Sequence, residues 1–293
     1  MIIGTRESRL AIRQTEIFIE KLKSKCQDVE CEVIGIKSLG DKDLQMPLSG
    51  MSVIGAFVRE LDDALVNKEI DVSVNSLKDI PITLTKGLKI GAVLERDSPD
   101  DIILPCPLDE LPEGAVVGTS SVRREHILRY VRPDLEIKPI RGNIQTRLSK
   151  LDRNEYDAII LAKAGIERME IERPYDTMDP EVFIPAAAQG TIAIECRDDD
   201  QDVIEKLIKV NDHSARLETG AERGIMKLMG AGCSSPVGIN AKHIGDEVHV
   251  RAVSFTYAPE PIWADTWIPE NYIMDEMLDI ADYLTGKRPR LKL

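Results

Sequence analysis

The sequence predicts an α/β protein of more than one domain, and three observations carry that expectation. Its 293 residues exceed what one ordinary core organises. Short apolar strands alternate with helical periods and glycine-bearing turns through most of the chain, the pattern of parallel sheets with crossover helices. From about residue 211 the pattern changes to alternating strands and one amphipathic helix, a small α+β domain.

Composition narrows the class. Hydrophobic residues make up 43% and charged residues 30%, as in soluble globular proteins. No apolar run approaches membrane-spanning length. Met1-Ile2-Ile3-Gly4-Thr5-Arg6 runs directly into a strand pattern without a leader, so a cytoplasmic protein is expected. Cys26, Cys31, Cys106, Cys196 and Cys233 are odd in number and scattered, and there are four histidines. Neither a disulfide framework nor a zinc or other metal site is suggested. The net charge of -13 argues against nucleic acid or an acidic membrane as a general partner. It also makes any local concentration of arginine informative.

The elements follow in order. Residues 1–4 read as a strand, and Leu10, Ile12, Ile17, Ile19 and Leu22 as a helix with Ser8 at its N-cap. Between them, Thr5, Arg6 and Ser8 either form an anion site at the helix N-terminus or simply cap it, with Arg6 solvated. Val33–Ile36 is a second strand. Ser38–Gly55, broken by Gly40, Pro47, Gly50 and Gly55, reads as a long mobile loop of the kind that serves as a lid. Phe57, Val58, Leu61, Leu65 and Val66 mark a helix, and Ile70, Val72 and Val74 a third strand. That strand runs into Asn75-Ser76-Leu77-Lys78-Asp79-Ile80-Pro81. A lysine and an aspartate at the carboxyl end of a parallel strand stand where open α/β sheets bind ligands. The alternative is a surface ion pair in a turn.

Glu95–Gly114, with Pro99, Pro105, Pro107 and Pro112, reads as passage into a second domain, with a short strand near Ile102–Leu104. There one device recurs. The strand Ala115–Val117 leads to Gly118-Thr119-Ser120-Ser121-Val122-Arg123-Arg124, and Leu135–Ile140 to Arg141-Gly142-Asn143 with Thr146 and Arg147. Ala158–Leu161 leads to Ala162-Lys163-Ala164-Gly165. Strand–helix alternation brings all three turns to one edge of a parallel sheet. Cations converging there in an acidic protein point to a ligand with several carboxylates or phosphates.

Phe183–Gly190 is small and irregular and reads as the crossing back, before a strand at Ile192–Ile194. Asp198–Asp202 starts a solvated helix, and the helix Val203–Val210 and the segment Ala215–Met229 lead on to the next loop. Met229-Gly230-Ala231-Gly232-Cys233-Ser234-Ser235-Pro236-Val237-Gly238 is a tight loop, its cysteine either a small gap-filler or a thiol presented to a cleft. Strands at Val248–Ser254 and Ile262–Ile268 and a helix at Ile273–Leu284 follow, then a basic tail, Lys287-Arg288-Pro289-Arg290, expected to be frayed and solvated. The division is residues 1–94 with 190–210, then 95–189, then 211–293.

Ser76-Leu77-Lys78-Asp79-Ile80-Pro81, Gly118 to Arg124, Arg141-Gly142-Asn143 with Thr146-Arg147, and Gly232-Cys233 before Pro236 occur together and in this order. Through them the chain resembles the porphobilinogen deaminase (hydroxymethylbilane synthase) family over nearly its whole length. The resemblance implies two periplasmic-binding-protein-like domains with parallel-rich sheets, and a small α+β C-terminal domain. It implies a transferase of tetrapyrrole (porphyrin) biosynthesis that joins four molecules of porphobilinogen head to tail, with loss of ammonia, into hydroxymethylbilane. Growth starts on a dipyrromethane cofactor held by a thioether, and Cys233 matches its anchor. Asp79 matches the catalytic carboxylate. Arg6, Ser8, Ser76, Lys78, Thr119, Ser120, Ser121, Arg123, Arg124, Arg141 and Arg147 match positions that bind cofactor and substrate. Gln189 and Gly190 match the crossing between domains. A monomer without nucleic-acid or membrane partners is expected.

The chain departs from the family pattern in places. Gly50 and Ile54 stand where bacterial members usually carry loop lysines, Asn75 where a histidine is frequent, and Arg9 where a proline is usual.

Two other classes fit parts of the sequence. A polyanion-binding sensor shares the fold but needs no Cys233 domain, and as an exported protein it would need a leader. A thiol acyltransferase wants a histidine partner for Cys233, and none is recognisable.

Overall fold

The computed structural model describes residues 1–37, 58–232 and 234–291. The expected lid Ser38–Gly55 and the anchor candidate Cys233 lie outside these residues. In chain order the elements begin with β1 (Ile2–Arg6), α1 (Arg9–Lys25), β2 (Glu32–Ile36), α2 (Arg59–Val66), β3 (Val72–Ser76) and β4 (Leu88–Val93). Next come β5 (Asp101–Leu104), β6 (Val116–Gly118), α3 (Val122–Val131), β7 (Glu136–Lys138), α4 (Ile144–Asp152), β8 (Ala158–Ala162), α5 (Lys163–Arg168) and β9 (Asp176–Thr177). The chain continues with β10 (Ile192–Arg197), α6 (Gln201–Ile208) and α7 (His213–Leu228). It closes with β11 (Val237–Ile244), β12 (Glu247–Ser254), β13 (Ile262–Pro269) and α8 (Met274–Leu284).

Contacts gather these elements into two compact units, Met1–Asp97 with Thr191–Arg216, and Ser98–Gly190 with Leu217–Leu293. The first is built on one sheet ordered β2-β1-β3-β10-β4. β1 pairs in parallel with β2 and β3, whereas β10 runs antiparallel to both β3 and β4. The period of two sets its core. Ile3, Val72, Val74 and Ile194 turn one way onto Phe18 and Leu22 of α1 and Leu207 of α6. On the other side Leu61 and Leu65 of α2 pack with Ile70 and Leu88.

The second unit has a sheet ordered β7-β6-β8-β5-β9 and a three-stranded antiparallel sheet, β11-β12-β13. The first of these is mixed rather than parallel throughout: β7, β6 and β8 are parallel, and β5 is antiparallel to β8 and β9. Ile103, Val117 and Ile160 face Ile127 and Leu128 of α3, while Ile102, Leu104, Ile159 and Leu161 face Leu148 of α4 and Ile166 of α5. The small sheet adds Val253 to the α3 side, where Tyr130 also meets Phe255 and Trp263 with ring centroids 6.2 Å apart.

Several expectations need correction. The stretch expected as a strand over Leu135–Ile140 is extended in pairing only over β7, because the backbone beyond Lys138 turns towards the Arg141 loop. β11 overlaps the end of the stretch read as a loop at Val237 and Gly238, and over the rest of its length the sequence carried no strand expectation. Its alternating buried residues are interrupted by Gly238, which lets the strand approach the 183–185 segment closely. A Cβ at Gly238 would stand 2.5 Å from the Ile184 carbonyl oxygen, and the next residue, Ile239, donates its N–H to Pro185 O at 2.9 Å. The basic tail is held rather than frayed at its start. Arg288 pairs with Asp279 and Asp282, and Lys287 with Asp282. No helix among the described residues is long and apolar enough to cross a membrane.

Two buried groups give tests of this packing. Glu222 of α7 is fully buried and accepts from Ala188 N at 2.5 Å and from Ala241 N at 2.6 Å, tying the 183–190 segment to β11. Glu222→Gln presents an N–H₂ to one of those donors. It should lower the unfolding free energy by about 1–3 kcal/mol, read as a lower urea midpoint at an unchanged slope. Cys196 on β10 is buried, and burial pushes its thiol up to about 11. At pH 8 it should resist alkylation in the folded protein and react once urea unfolds the chain, read by mass.

Candidate active site

In the first unit, the carboxyl ends of β1 and β3 lie side by side because the strands are parallel neighbours. Arg6 ends one and Ser76 the other. The chain beyond β3 makes a single 3₁₀ turn, Leu77–Asp79. Leu77 and Ile80 are buried on either side of it, and Leu77 N donates to Thr191 O at 2.9 Å. Anchored at both ends and followed by Pro81, the turn has little freedom, so it presents Asp79 to solvent and leaves Lys78 half-buried. Asp79, Ser76, Arg6 and Ser8 line one cavity with Gln14 and Asn75. The structure therefore brings the Thr5–Ser8 turn and the Lys78–Asp79 turn to one cavity, although the sequence reads them only as two separate turns.

Of the two readings of the Thr5–Ser8 turn, the capping one holds for Ser8 alone, since Thr5 is buried and its Oγ1 donates to Ala11 O at 3.2 Å. Ser8 Oγ accepts from Ala11 N at 3.2 Å and is the N-cap of α1. Its hydroxyl acceptor is engaged, and the cation of the turn is Arg6. Two polar side chains complete the floor. Gln14 is buried and its Nε2 donates to Ser76 Oγ at 2.8 Å. Asn75 Nδ2 donates to Ser73 Oγ at 3.1 Å and to the buried Glu195 Oε2 at 3.3 Å. Gln14 escaped sequence reasoning, although it sits among Ala11, Thr15, Phe18 and Leu22 on the buried stripe of α1, where a polar residue is a signal.

In the second unit, the turns after β6, β7 and β8 open at one sheet edge, as their parallel pairing requires. Their hydroxyls are mostly engaged locally. Thr119 Oγ1 accepts from Ser121 N, Ser120 Oγ donates to Ile140 O at 2.8 Å, and Ser121 Oγ accepts from Arg124 N as the N-cap of α3. Asn143 caps α4, accepting from Thr146 N at 2.9 Å. Gly142 has φ +108°, and a Cβ there would lie 2.5 Å from Thr146 Cγ2, so the turn requires glycine. Arg147 Nε donates to Gly142 O at 2.8 Å, and Arg141 and Arg147 are half-buried. The third turn differs from expectation. α5 begins at Lys163, so Lys163 and Gly165 belong to the helix, and Gly165 is buried in its packing.

Arg123 and Arg124 lie inside the unit, 3% and 6% exposed, around Asp101 at the first position of β5. Arg124 Nη2 donates to Asp101 Oδ1 at 2.6 Å. Arg123 Nη2 stands 2.8 Å from Oδ2 as an ion pair. Their Nη1 atoms donate to Ile184 O and Ile160 O respectively. Gln189 is buried here too, its Nε2 donating to Asp101 Oδ1 at 2.8 Å and to Pro99 O at 2.6 Å. Burial alone would push the Asp101 carboxyl up. The Arg123 and Arg124 charges, with hydrogen bonds from Arg124 and Gln189, hold it well below the usual carboxylate range. Burial lowers Arg123 from its ordinary value against the pull of Asp101. Gly190, at φ +89°, offers its carbonyl to Arg168 Nη2 at 2.6 Å. Asp101 gave little sequence signal beyond an acid directly before the apolar run Ile102-Ile103-Leu104.

Beside Cys233, Gly232 N donates to Ser235 Oγ at 3.0 Å and Ser235 N to Gly232 O at 2.9 Å. Phe255 N donates to Pro236 O at 3.1 Å, so the far end of this loop is fixed to β12's exit.

Comparison with known proteins places these features in a family. Residues 1–205 match the family model described as "Porphobilinogen deaminase, dipyromethane cofactor binding domain". The chain is 44% identical over 277 residues to the "Probable porphobilinogen deaminase" of Methanosarcina acetivorans, covering 92% of this chain and 86% of that one. It is 44% identical over 253 residues to the "Porphobilinogen deaminase" of Lysinibacillus sphaericus, covering 85% and 82%. With that of Halalkalibacterium halodurans the identity is 42% over 267 residues, covering 89% and 85%. Among solved structures, the Bordetella pertussis BvgS periplasmic VFT2 domain is similar with a TM-score of 0.43 and 13% identity, over 71% of this chain and 86% of that one. The chain belongs to the porphobilinogen deaminase family.

Proposed function

We propose that this chain is a transferase that joins four porphobilinogen molecules head to tail into the linear tetrapyrrole hydroxymethylbilane, releasing one ammonia at each addition. The observation that carries the proposal is Asp79, held at the end of β3 on a turn anchored by Leu77 and Ile80 and sharing a cavity with Arg6. Ammonia loss leaves a cation spread over a pyrrole ring. A carboxylate fixed beside the reacting carbon stabilises it, more strongly away from bulk water than within it.

Each pyrrole carries an acetate and a propionate, so the growing chain is a polyanion. Arg6, Lys78, Arg141 and Arg147 are the cations we assign to those carboxylates, with Ser8, Ser76 and the Thr119–Ser121 turn shaping their surroundings. Arginine suits the task because its planar fork meets a carboxylate with two parallel hydrogen bonds. Arg123 and Arg124 contribute from a buried position. With Asp101 they leave one uncompensated positive charge, and their Nε atoms have no hydrogen-bond partner among the described residues. That donor set fits a dipyrromethane bearing carboxylates. The cofactor supplies the primer to which porphobilinogen is added, and Cys233 is its thioether anchor. We assign the chain a monomeric state, with a small molecule as its partner and the cytoplasm as its location.

Two measurements test this. The intact mass of the purified protein should exceed the sequence mass by two linked pyrroles, and Cys233→Ser should lack the increment. A fully active wild type at the bare sequence mass would end the anchor assignment. Asp79→Asn keeps the size and removes the charge, so it should lower single-turnover consumption of porphobilinogen by about a hundredfold to a thousandfold. Asp79→Glu should retain a small part of the rate. Normal turnover by the folded Asn variant would falsify the role of Asp79.

A further inference from the structure

We infer that Asp101 is a positioning residue for this chemistry, fixing the two guanidinium planes of Arg123 and Arg124 through one buried carboxylate; the inference rests on the function proposed above. Asp101 is 1% exposed, and its oxygens face the two arginines and Gln189. It cannot itself reach a substrate, so whatever it does passes through its neighbours.

The geometry goes beyond a neutral structural pair. Each guanidinium is gripped at both terminal nitrogens, by Asp101 at Nη2 and by a main-chain carbonyl at Nη1. The carbonyls belong to Ile184 on the segment before β10 and to Ile160 in β8. Two grips per fork fix the plane, and of the donors that remain, Nε on each side chain is buried with no hydrogen-bond partner among the described residues. A closed ion pair would balance its charges and satisfy its donors. Here two cations surround one anion, so the cluster retains a positive charge aimed by the carboxylate within it.

The carboxylate is itself held rigidly. Asp101 pairs with Ala162 across the β5–β8 ladder, and its carbonyl accepts from Met178 N at 2.9 Å. Gln189 Nε2 then sets the side-chain rotation by bridging Oδ1 to Pro99 O. Asp101 therefore converts two long, flexible cations into a pre-set receptor, which lowers the ordering needed when a carboxylate binds. The expected signature is a change in substrate affinity, distinct from the change in rate expected at Asp79.

The test uses holoenzyme and porphobilinogen. Asp101→Asn, folded by circular dichroism, should raise KM by about tenfold to a hundredfold, as loss of charge-assisted hydrogen bonds predicts, with kcat changed far less. Asp101→Ala should behave alike, and sodium formate present during refolding should bring KM back towards wild type while sodium chloride at equal ionic strength does not. If the charge-deleted variants fail to fold, Gln189→Leu leaves the charges in place while removing the bridge from Asp101 Oδ1 to Pro99 O that orients the carboxylate, and should raise KM several-fold. A folded Asp101→Asn with wild-type KM overturns the inference. So does formate that restores thermal stability but not KM, or, where only Gln189→Leu folds, an unchanged KM. A wild type that consumes no porphobilinogen overturns the proposed function and this inference together, whereas an active wild type beside unaffected variants overturns the inference alone.

Discussion

Two guanidinium ions held out of water govern the architecture of the second unit. Transferring a charge from water to a protein interior is costly unless it is paired and hydrogen-bonded, and here two are transferred together. Asp101 supplies the counter-charge and main-chain carbonyls supply the remaining acceptors. Each acceptor comes from a different stretch of chain: β5, β8 and the segment before β10. Helix α3 can place Arg123 and Arg124 only where all three converge. The core on its other face, where Ile127 and Leu128 pack against Val117 and Ile160, fixes the helix at that point. The aromatic contacts of Tyr130 with Phe255 and Trp263 hold its far end to the small sheet.

Strand direction explains why Asp101 is available there. An antiparallel strand enters a sheet at the edge where its parallel neighbours leave it. β5 begins opposite Ala162, where β8 ends, so the first residue of β5 lies at the carboxyl edge with the turns after β6, β7 and β8. The first unit repeats the device. β10 begins with Ile192 opposite Ser76, where β3 ends, and Thr191 accepts the N–H of Leu77 in the Asp79 turn. Reversing one strand per sheet brings the start of that strand to the edge where open α/β sheets bind ligands. Asp101 and Thr191 both occupy such starts, and neither position belongs to the turns that a parallel-sheet reading searches.

Much of this was legible in the sequence. Most strands and helices, the Ser8 cap and the Asp79 turn at the end of β3 follow from local periodicity and turn chemistry, whereas β4 carried no sequence expectation. What was not legible is non-local. β5 and β10 carry the same apolar run whichever way they point, because strand direction is decided by connections rather than composition. β11 was lost because Gly238 interrupts its alternation, and the reason for that glycine is a carbonyl more than fifty residues earlier. The partners of Arg123 and Arg124 could not be read from Val122-Arg123-Arg124, since the pairing carboxylate lies on another strand. The fate of Lys287 and Arg288 turned on Asp279 and Asp282, residues of the preceding helix that periodicity reads only as its polar face.

The turn residues show how capping and binding divide one loop between them. Ser8, Ser121 and Asn143 each accept an N–H from the first turn of the helix that follows, so their side-chain oxygens are directed into protein. A capped N-terminus still favours an anion nearby through the helix dipole, but its hydroxyl acceptor no longer competes for that anion. In the function we propose, the carboxylates are met by the cations beside the caps, Arg6 at the first and Arg141 and Arg147 around the third. At the second, Arg123 and Arg124 are held by Asp101, which on our inference sets them for the same task. Capping and the proposed anion binding are therefore compatible roles for the turns that hold Ser8, Ser121 and Asn143: a rigid turn lets a nearby arginine meet an anion without first being ordered by it.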